Sequence, residues 1–477
     1  MKPHLTLILL LSLFIGRNAS AQDVHGMSDG YVWPNDPLVM EKLTQWQDLK
    51  FGMIIHYGLY SELGVVESWL LCSEEADWIG RDSTIRYEDF KRDYWSAIDR
   101  FKPDRLDPEP WAKYGKEAGM KYLVFTTKHH DGFAMFDTKQ SDFSITQGAF
   151  KGHPRSNIAK EVFNAFRNEG YMIGAYFSKP DWHSQYFWWD RYATPDRNAN
   201  YSIINNPWRW NKFKEFTYNQ IEEIVNGDYG SIDILWLDGG WVYPSTKEQT
   251  EARGRRWRGS QDVDIPRIAA MVRKYQPGML VVDRTITGEY ENYQTPEQTI
   301  PPHQLITPWE SCITMGVDWG WTNHQRYKSP REIIHKLAEI VAKGGSLLLG
   351  IGPKPDGTLP DEVIVRLQEI GRWMSRHGKA IYETRPVAYY NEGKIWFTGS
   401  KDGTKNYAIV CLEEDEMPAT VTWKGVLPKK GSAVRYLPTG EKLKWKKNAD
   451  EVIITLPQSI TSAGEAALTF EFAVEQN

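Results

Sequence analysis

Along this chain, short apolar runs alternate with longer stretches in helical spacing. The runs at 51–56, 122–127, 171–177, 232–238, 279–283 and 346–351 are dense in Ile, Val, Leu and aromatics, with little polar alternation. Strands buried on both faces, as in a parallel sheet, have this composition. Helical patterns fall between them. Ser329-Pro330-Arg331-Glu332 has capping-box spacing with proline at the first helical position. Ile333, Ile334, Leu337, Ile340 and Val341 then share one face, and Gly344 is a plausible stop. Ser156 is placed to cap a helix burying Ile158, Val162, Phe163 and Phe166, and Val363, Leu367, Ile370 and Met374 form another stripe. This alternation predicts an α/β fold, a (β/α)8-like barrel over residues 22–380. A doubly wound sheet is the alternative, but no Gly-rich dinucleotide fingerprint follows the first strand. Past residue 383 the runs shorten: 394–398, 407–411, 419–423 and 451–456, punctuated by Gly403, Gly425, Gly431 and Gly440. That pattern predicts an antiparallel β-sandwich over 384–477, a brace rather than a carbohydrate-binding module.

Residues 1–21 read as a secretory signal. A weakly basic start at Lys2 and His4 precedes an apolar stretch at 5–15 and a small-x-small site at Ala19-Ser20-Ala21. The stretch is too short to span a bilayer, and no other segment is long enough, so stable membrane insertion is not expected. The mature chain is expected to begin near Gln22 and to be exported, periplasmic or secreted. Lys and Arg total 57 against 62 Asp and Glu, a balance of −5 that argues against a nucleic-acid partner. Three cysteines are too few for a disulfide scaffold and allow one pair at most. The 21 Trp, 24 Tyr and 18 Phe suit either a heavy core or stacking on sugar rings. In 181–210, Trp182, Trp188, Trp189, Trp208 and Trp210 pose the same choice. Asn200-Tyr201-Ser202 is a sequon that matters only in a glycosylating host.

A parallel barrel presents chemistry at the C-terminal ends of its strands. There the chain places His56-Tyr57-Gly58, Lys128-His129-His130-Asp131-Gly132, Tyr176, Trp236-Leu237-Asp238-Gly239-Gly240 and Asp283-Arg284. Asp238 closes an apolar strand before two glycines, which lets backbone and carboxylate approach a ligand closely. A turn or cap role is the plain alternative. Acid–base work on a glycoside needs a second carboxyl, and Glu289, Glu291, Glu297 and Glu310 lie in or at the end of the loop-like stretch 286–310. Spacing does not choose among them. Adjacent histidines on a strand point to opposite faces, so His129 and His130 are expected to bind hydroxyls rather than one metal ion. No cofactor or metal is expected.

Four ordered segments carry a family resemblance: Lys50-Phe51-Gly52-Met53-Ile54-Ile55-His56-Tyr57-Gly58; Thr127-Lys128-His129-His130-Asp131-Gly132-Phe133; Leu235-Trp236-Leu237-Asp238-Gly239; and Gly344-Gly345-Ser346-Leu347-Leu348-Leu349-Gly350-Ile351-Gly352-Pro353. The chain resembles the α-L-fucosidases, family 29 of the glycoside hydrolases. The resemblance implies a barrel plus a β-sandwich, and removal of terminal α-L-fucose from glycans with retention of configuration. It assigns Asp238 as nucleophile and, through Thr295-Pro296-Glu297, Glu297 as acid/base. It further implies that His56, His129 and His130 bond sugar hydroxyls and that Tyr176 and Trp236 line the pocket. The resemblance also places Arg284 after the fifth strand in an Asp-Arg pair, and matches Trp319 to an aromatic position expected to pack on the apolar side of fucose. Many members carry a Glu-Trp pair; here it reads Glu67-Ser68-Trp69, with one residue inserted, and Glu67 and Trp69 are the candidate sugar contacts. Glu310 matches a family segment of structural character. The expected partners are fucosylated oligosaccharides or glycoconjugates. Two other functions fit the same motifs: a non-catalytic fucose-binding protein, or a hydrolase preferring another L-sugar such as α-L-galactose.

Overall fold

Seven parallel strands form the first sheet: β1 (Phe51–Ile55), β2 (Tyr122–Lys128), β3 (Met172–Ser178), β4 (Ile234–Asp238), β5 (Leu280–Asp283), β6 (Glu310–Thr314) and β7 (Ser346–Ile351). Their order is β5-β4-β3-β2-β1-β7-β6. The computed structural model describes residues 27–72, 79, 82, 84–252, 255–461 and 464–474, so the expected signal at 1–21 lies outside the described residues. Burial is complete along these strands except at Met172, which opens β3, and Asp238, which closes β4. Alternate residues serve two cores. Ile54, Val124, Tyr176, Trp236, Val282 and Leu348 form an inner cluster, while Met53, Phe125, Leu235, Val281 and Leu349 join the outer cluster with the helices. The helix Pro37–Leu49 adds Val39, Leu43 and Trp46 to the inner cluster. Trp46 lies at van der Waals distance over Tyr293, ring centroids 4.0 Å apart, and edge-on to Tyr122 at the start of β2. This helix therefore plugs the N-terminal end of the barrel, and only the C-terminal end is left for a ligand.

The expected (β/α)8-like architecture is present, with an irregular eighth position. Between β5 and β6 runs the segment 291–298. Asn292 N donates to Val281 O at 3.0 Å on one side, and on the other Gln298 N donates to Cys312 O at 2.9 Å. Pro296 offers no N–H, and Gln298 has φ 54, so a regular ladder cannot form here. Six strands match the apolar runs. The strand β6 does not read as one in sequence, because Glu310-Ser311-Cys312-Ile313-Thr314 is half polar. Ser329 caps Pro330–Ala342 as expected, accepting from Glu332 N at 3.1 Å. The cap of Ile158–Asn168 is Asn157 rather than Ser156, since the Asn157 side chain accepts from Lys160 N.

After residue 383 a nine-stranded antiparallel path folds over itself. Trp423 from one edge lies against Phe397, Phe470 and Phe472, which gives the sandwich its core. Five strands here, Thr384–Arg385, Asn391–Glu392, Val434–Tyr436, Lys442–Asn448 and Ala467–Ala473, lie outside the runs read from sequence. The sandwich docks on the barrel helices through Trp373 Nε1 to Ala467 O at 2.9 Å and Arg331 Nη1 to Leu412 O at 2.6 Å.

Gly52 on β1 faces Tyr122 on β2, and an added Cβ would sit 2.4 Å from the Tyr122 ring. That ring is fixed by its hydroxyl bond to Glu310 at 2.7 Å. Gly52→Ala should therefore destabilise the fold by about 1–3 kcal/mol, read as a lowered midpoint in thermal or denaturant unfolding. An unchanged midpoint would show that the barrel interior can relax around Tyr122.

Candidate active site

At the open end of the barrel lies a cavity of about 400 Å³. Each strand delivers its polar group by ending there. Asp238 is the last residue of β4 and Tyr176 a late residue of β3, while Arg284 follows β5 directly. The Tyr176 hydroxyl donates to Asp238 Oδ2 at 2.6 Å. Arg284 Nη1 donates to Asp238 Oδ1 at 2.6 Å, and Nη2 of the same guanidinium donates to Glu297 Oε2 at 2.8 Å. One cation thus holds two carboxyls from distant parts of the chain. Trp319 Nε1 donates to the other Glu297 oxygen at 3.1 Å. The guanidinium is itself fixed by Thr295 Oγ1 at 3.1 Å from Nε and by the Trp236 ring, 4.3 Å from Cζ to centroid. Beneath it, Asp283 is neutralised by buried Lys179.

Burial opposes charge on Asp238, but the Arg284 guanidinium and the Tyr176 hydroxyl outweigh it. The carboxyl is held well below the usual carboxylate range and is ionised at neutral pH. The histidines behave oppositely. Burial, helped by His129, pushes His56 down to about 3. Burial pushes His129 down to about 4 against the pull of Asp238 and Glu297, and drives His130 well below its ordinary value. Three neutral imidazoles therefore line the site; Ser68 and Ser178 occupy Nδ1 of His129 and His130, which leaves the Nε2 atoms of these two rings for a hydroxyl.

His129 and His130 both reach this cavity, which corrects the expectation that neighbours diverge. The strand β2 ends at Lys128, so strand alternation no longer governs them. Their rings lie 4.2 Å apart between centroids. Ligand atoms of His129, His130 and Asp238 fall within 4.8 Å of one another, a spacing a metal ion could use. The Arg284 guanidinium already neutralises Asp238, and a second cation beside it would be repelled.

The inserted residue in Glu67-Ser68-Trp69 brings both neighbours to the cavity. Ser68 Oγ pairs with His129 Nδ1 and accepts from Asp131 N at 3.0 Å. Glu67 takes φ 30, a strained value, and its Oε1 accepts from Gly320 N at 2.7 Å. Trp69 stands edge-on to His130 with centroids 5.2 Å apart. His56 lies against Trp319 at 5.1 Å. All eleven sequence-derived site residues line this one cavity.

The other acidic candidates do not. Glu310 is fully buried inside the barrel, bonded to Tyr122 and to Trp236 Nε1 at 3.2 Å, and burial pushes its carboxyl up to about 7. Glu291 is buried against Ser28 and Thr285 N, and Glu289 is exposed. Gly239 serves packing rather than a ligand: it has φ 88, its N–H donates to Asp238 Oδ1 at 2.8 Å, and a Cβ would strike Pro180 at 2.3 Å. Arg197 and Trp241 line the cavity but were not singled out in sequence. Trp241 lies just beyond the Asp238-Gly239-Gly240 turn and could have been found from it; Arg197 gave no local signal. Of the loop tryptophans, Trp182 and Trp188 stack on each other at 5.0 Å, Trp210 packs on Phe213, and Trp189 carries the Arg209 guanidinium. Only Trp208 is exposed among these five. The Asn200 amide is buried, donating to three backbone carbonyls, so the sequon is occupied by structure.

The α-L-fucosidase family model matches residues 18–379. The chain belongs to the α-L-fucosidase family. It is accordingly a glycoside hydrolase of family 29. An α-L-fucosidase of Dictyostelium discoideum is 26% identical over 407 residues, 81% of each chain. Isoenzyme 1 from Paenibacillus thiaminolyticus superposes with a TM-score of 0.73 at 28% identity, covering 92% of this chain and 100% of its own. The Thermotoga maritima α-fucosidase solved with fucose gives 0.70 at 25% identity, covering 91% and 98%.

Burial pushes the Glu67 carboxyl up to about 8, against the Gly320 N–H and with the charges of Asp318 and Glu297. The folded chain keeps this proton while the unfolded chain releases it near the ordinary value of 4.5. The stabilisation is full below that value and is lost as pH rises toward 8, at ~1.4 kcal/mol per pH unit. Glu67→Gln keeps an acceptor for Gly320 without titrating. Denaturant unfolding at pH 5 and pH 8 should show a smaller loss in the variant; equal losses would refute a protonated Glu67.

Proposed function

We propose that this chain is an exported, retaining exo-α-L-fucosidase that removes terminal α-L-fucose from oligosaccharides or glycoconjugates. The observation that carries the reading is the single Arg284 guanidinium shared by Asp238 and Glu297. Retaining enzymes hold their carboxyls about 5–5.5 Å apart, whereas inverting ones leave about 6.5–9.5 Å for a water. Two carboxyls on one guanidinium favour the shorter class. Export rests on the signal-like residues 1–21; among the described residues no helix is long and apolar enough to cross a membrane.

In the first step an Asp238 oxygen attacks the anomeric carbon as the bond to the leaving oxygen breaks, and Glu297 gives that oxygen its proton. In the second, Glu297 takes a proton from water, the water oxygen bonds the anomeric carbon, and Asp238 departs. Arg284, Tyr176 and Gly239 N–H stabilise the Asp238 charge before attack and again as it is released. Once Asp238 is esterified, Arg284 faces a single charged carboxylate, which helps Glu297 act as base. The neutral imidazoles of His56, His129 and His130 bond the ring hydroxyls. Trp319 offers an apolar face for the fucose methyl group.

Asp238→Gly and Glu297→Ala should each lower kcat on an aryl α-L-fucoside by about 10²–10⁴-fold or more. Azide should rescue the first variant to the inverted β-fucosyl azide and the second to the retained α product, read by NMR. A fully active Glu297→Ala would remove Glu297 from the mechanism. Because an apolar wall discriminates weakly against one added hydroxyl, the α-L-galactoside should be cleaved within about 10²-fold of the fucoside. Selectivity above about 10⁵ would require another exclusion device.

A further inference from the structure

Two buried serines stand behind two of the cavity histidines. Ser68 lies between Glu67 and Trp69, and Ser178 closes β3 in register with Asp238 at the end of β4. Neither serine is exposed. Ser68 Oγ pairs with His129 Nδ1, and Ser178 Oγ pairs with His130 Nδ1 at 2.8 Å. Burial keeps both rings neutral, so each carries a single proton. Which ring nitrogen holds it is set by the partner of Nδ1.

The two serines are connected in opposite senses. Ser178 Oγ donates to Pro180 O at 2.7 Å. A carbonyl only accepts, and a hydroxyl has one proton to give. Ser178 must therefore accept from His130, whose proton sits on Nδ1. His130 Nε2 is then a bare acceptor. It lies 3.7 Å from Asp238 Oδ2, beyond hydrogen-bond reach, and that oxygen already accepts from Tyr176. At Ser68 the order reverses. Asp131 N donates to Ser68 Oγ at 3.0 Å, which leaves the Ser68 proton for His129 Nδ1. His129 then carries its own proton on Nε2.

We propose that Ser68 and Ser178 are positioning residues that hold the neighbouring histidines in opposite tautomers, His129 a donor and His130 an acceptor at Nε2. The consequence for the sugar rests on the fucosidase reading above. His129 takes a hydroxyl that accepts, and His130 takes one that donates. Two rings in the same tautomer would leave one of those bonds unmade. Ser178 also protects the nucleophile. Without it, the charge of Asp238 would draw the His130 proton to Nε2. Held on Nδ1, that proton leaves His130 to the sugar and Asp238 to Tyr176 and Arg284.

The test uses the full chain labelled with nitrogen-15 at its histidine rings alone and read by NMR near neutral pH. Signals are assigned by their loss in His129→Gln and His130→Gln. The nitrogen shift separates a protonated ring nitrogen from a bare one. Expected are a protonated Nε2 on His129 and a protonated Nδ1 on His130; the same tautomer on both, or the reverse pairing, would overturn the proposal. A His129 proton on Nδ1 would mean that Ser68 gives its own to Tyr94, the other hydroxyl beside it. Ser178→Ala should move the His130 proton to Nε2 and leave His129 as it was. Its kcat/KM on an aryl α-L-fucoside should fall about 2–10-fold, the worth of one hydrogen bond. Ser178→Thr, which keeps a hydroxyl, should keep both tautomer and rate. Ser68→Ala should release His129 into a mixture of tautomers and leave His130 unchanged. If the serines only pack, alanine will lower the unfolding midpoint without moving either proton, and the proposal fails. Should an alanine variant not fold, the wild-type and threonine spectra still decide. The spectra need no substrate, so a chain that cleaves no fucoside would sink the fucosidase reading and leave the tautomers tested.

Discussion

Two carboxyls facing one buried void repel each other unless a cation stands between them, and Arg284 is that cation. It is buried, stacked against Trp236, bonded to Thr295, and forked between Asp238 and Glu297. Removing a charge from water is costly, and the attraction repays it only when the remaining donors are satisfied. The neutral Lys179–Asp283 pair below adds no net field to this balance. The ends of β4 and β5 and the segment 291–298 are thereby tied to one point, and the rest of the mouth is arranged around it.

The barrel makes that point accessible from one side only. Its interior is filled by alternating strand residues, and the helix Pro37–Leu49 blocks the far end. Even a carboxyl within the barrel, Glu310, is immobilised by Tyr122 and Trp236 and supports the floor of the site. The polar groups that face the cavity sit at or near the C-terminal ends of the strands, where two-faced burial gives way. Burial keeps three histidines neutral, so none of them adds a positive charge beside the Arg284 guanidinium.

Irregularity is used where chemistry needs it. A regular eighth strand through 291–298 would alternate side chains between barrel interior and helices. Pro296 and the left-handed Gln298 interrupt that alternation, and Glu297 between them turns into the mouth. Glu67 is a second case, its strained backbone letting Glu67 and Trp69 face the cavity on either side of Ser68. Strain of this kind persists only where surrounding contacts over-determine it.

Six strands, the capped helix after Ser329 and the turn after Asp238 were legible in the sequence, because strand density, caps and glycines act over a few residues. The strand β6 was not, because its polar residues are satisfied by partners far along the chain, such as Tyr122 for Glu310. Family motifs singled out Asp238 and Glu297, yet spacing alone left Glu289, Glu291 and Glu310 open. Only the closed barrel decided that Glu297 shares a guanidinium with Asp238, that His129 and His130 enter one cavity, and that four of five loop tryptophans are packed rather than offered to sugar. The sequence by itself determined which segments are buried and where strands end, since periodicity records how each residue meets its neighbours. Which distant groups meet in one void depends on how the strands curl into a barrel, and no local period encodes that closure.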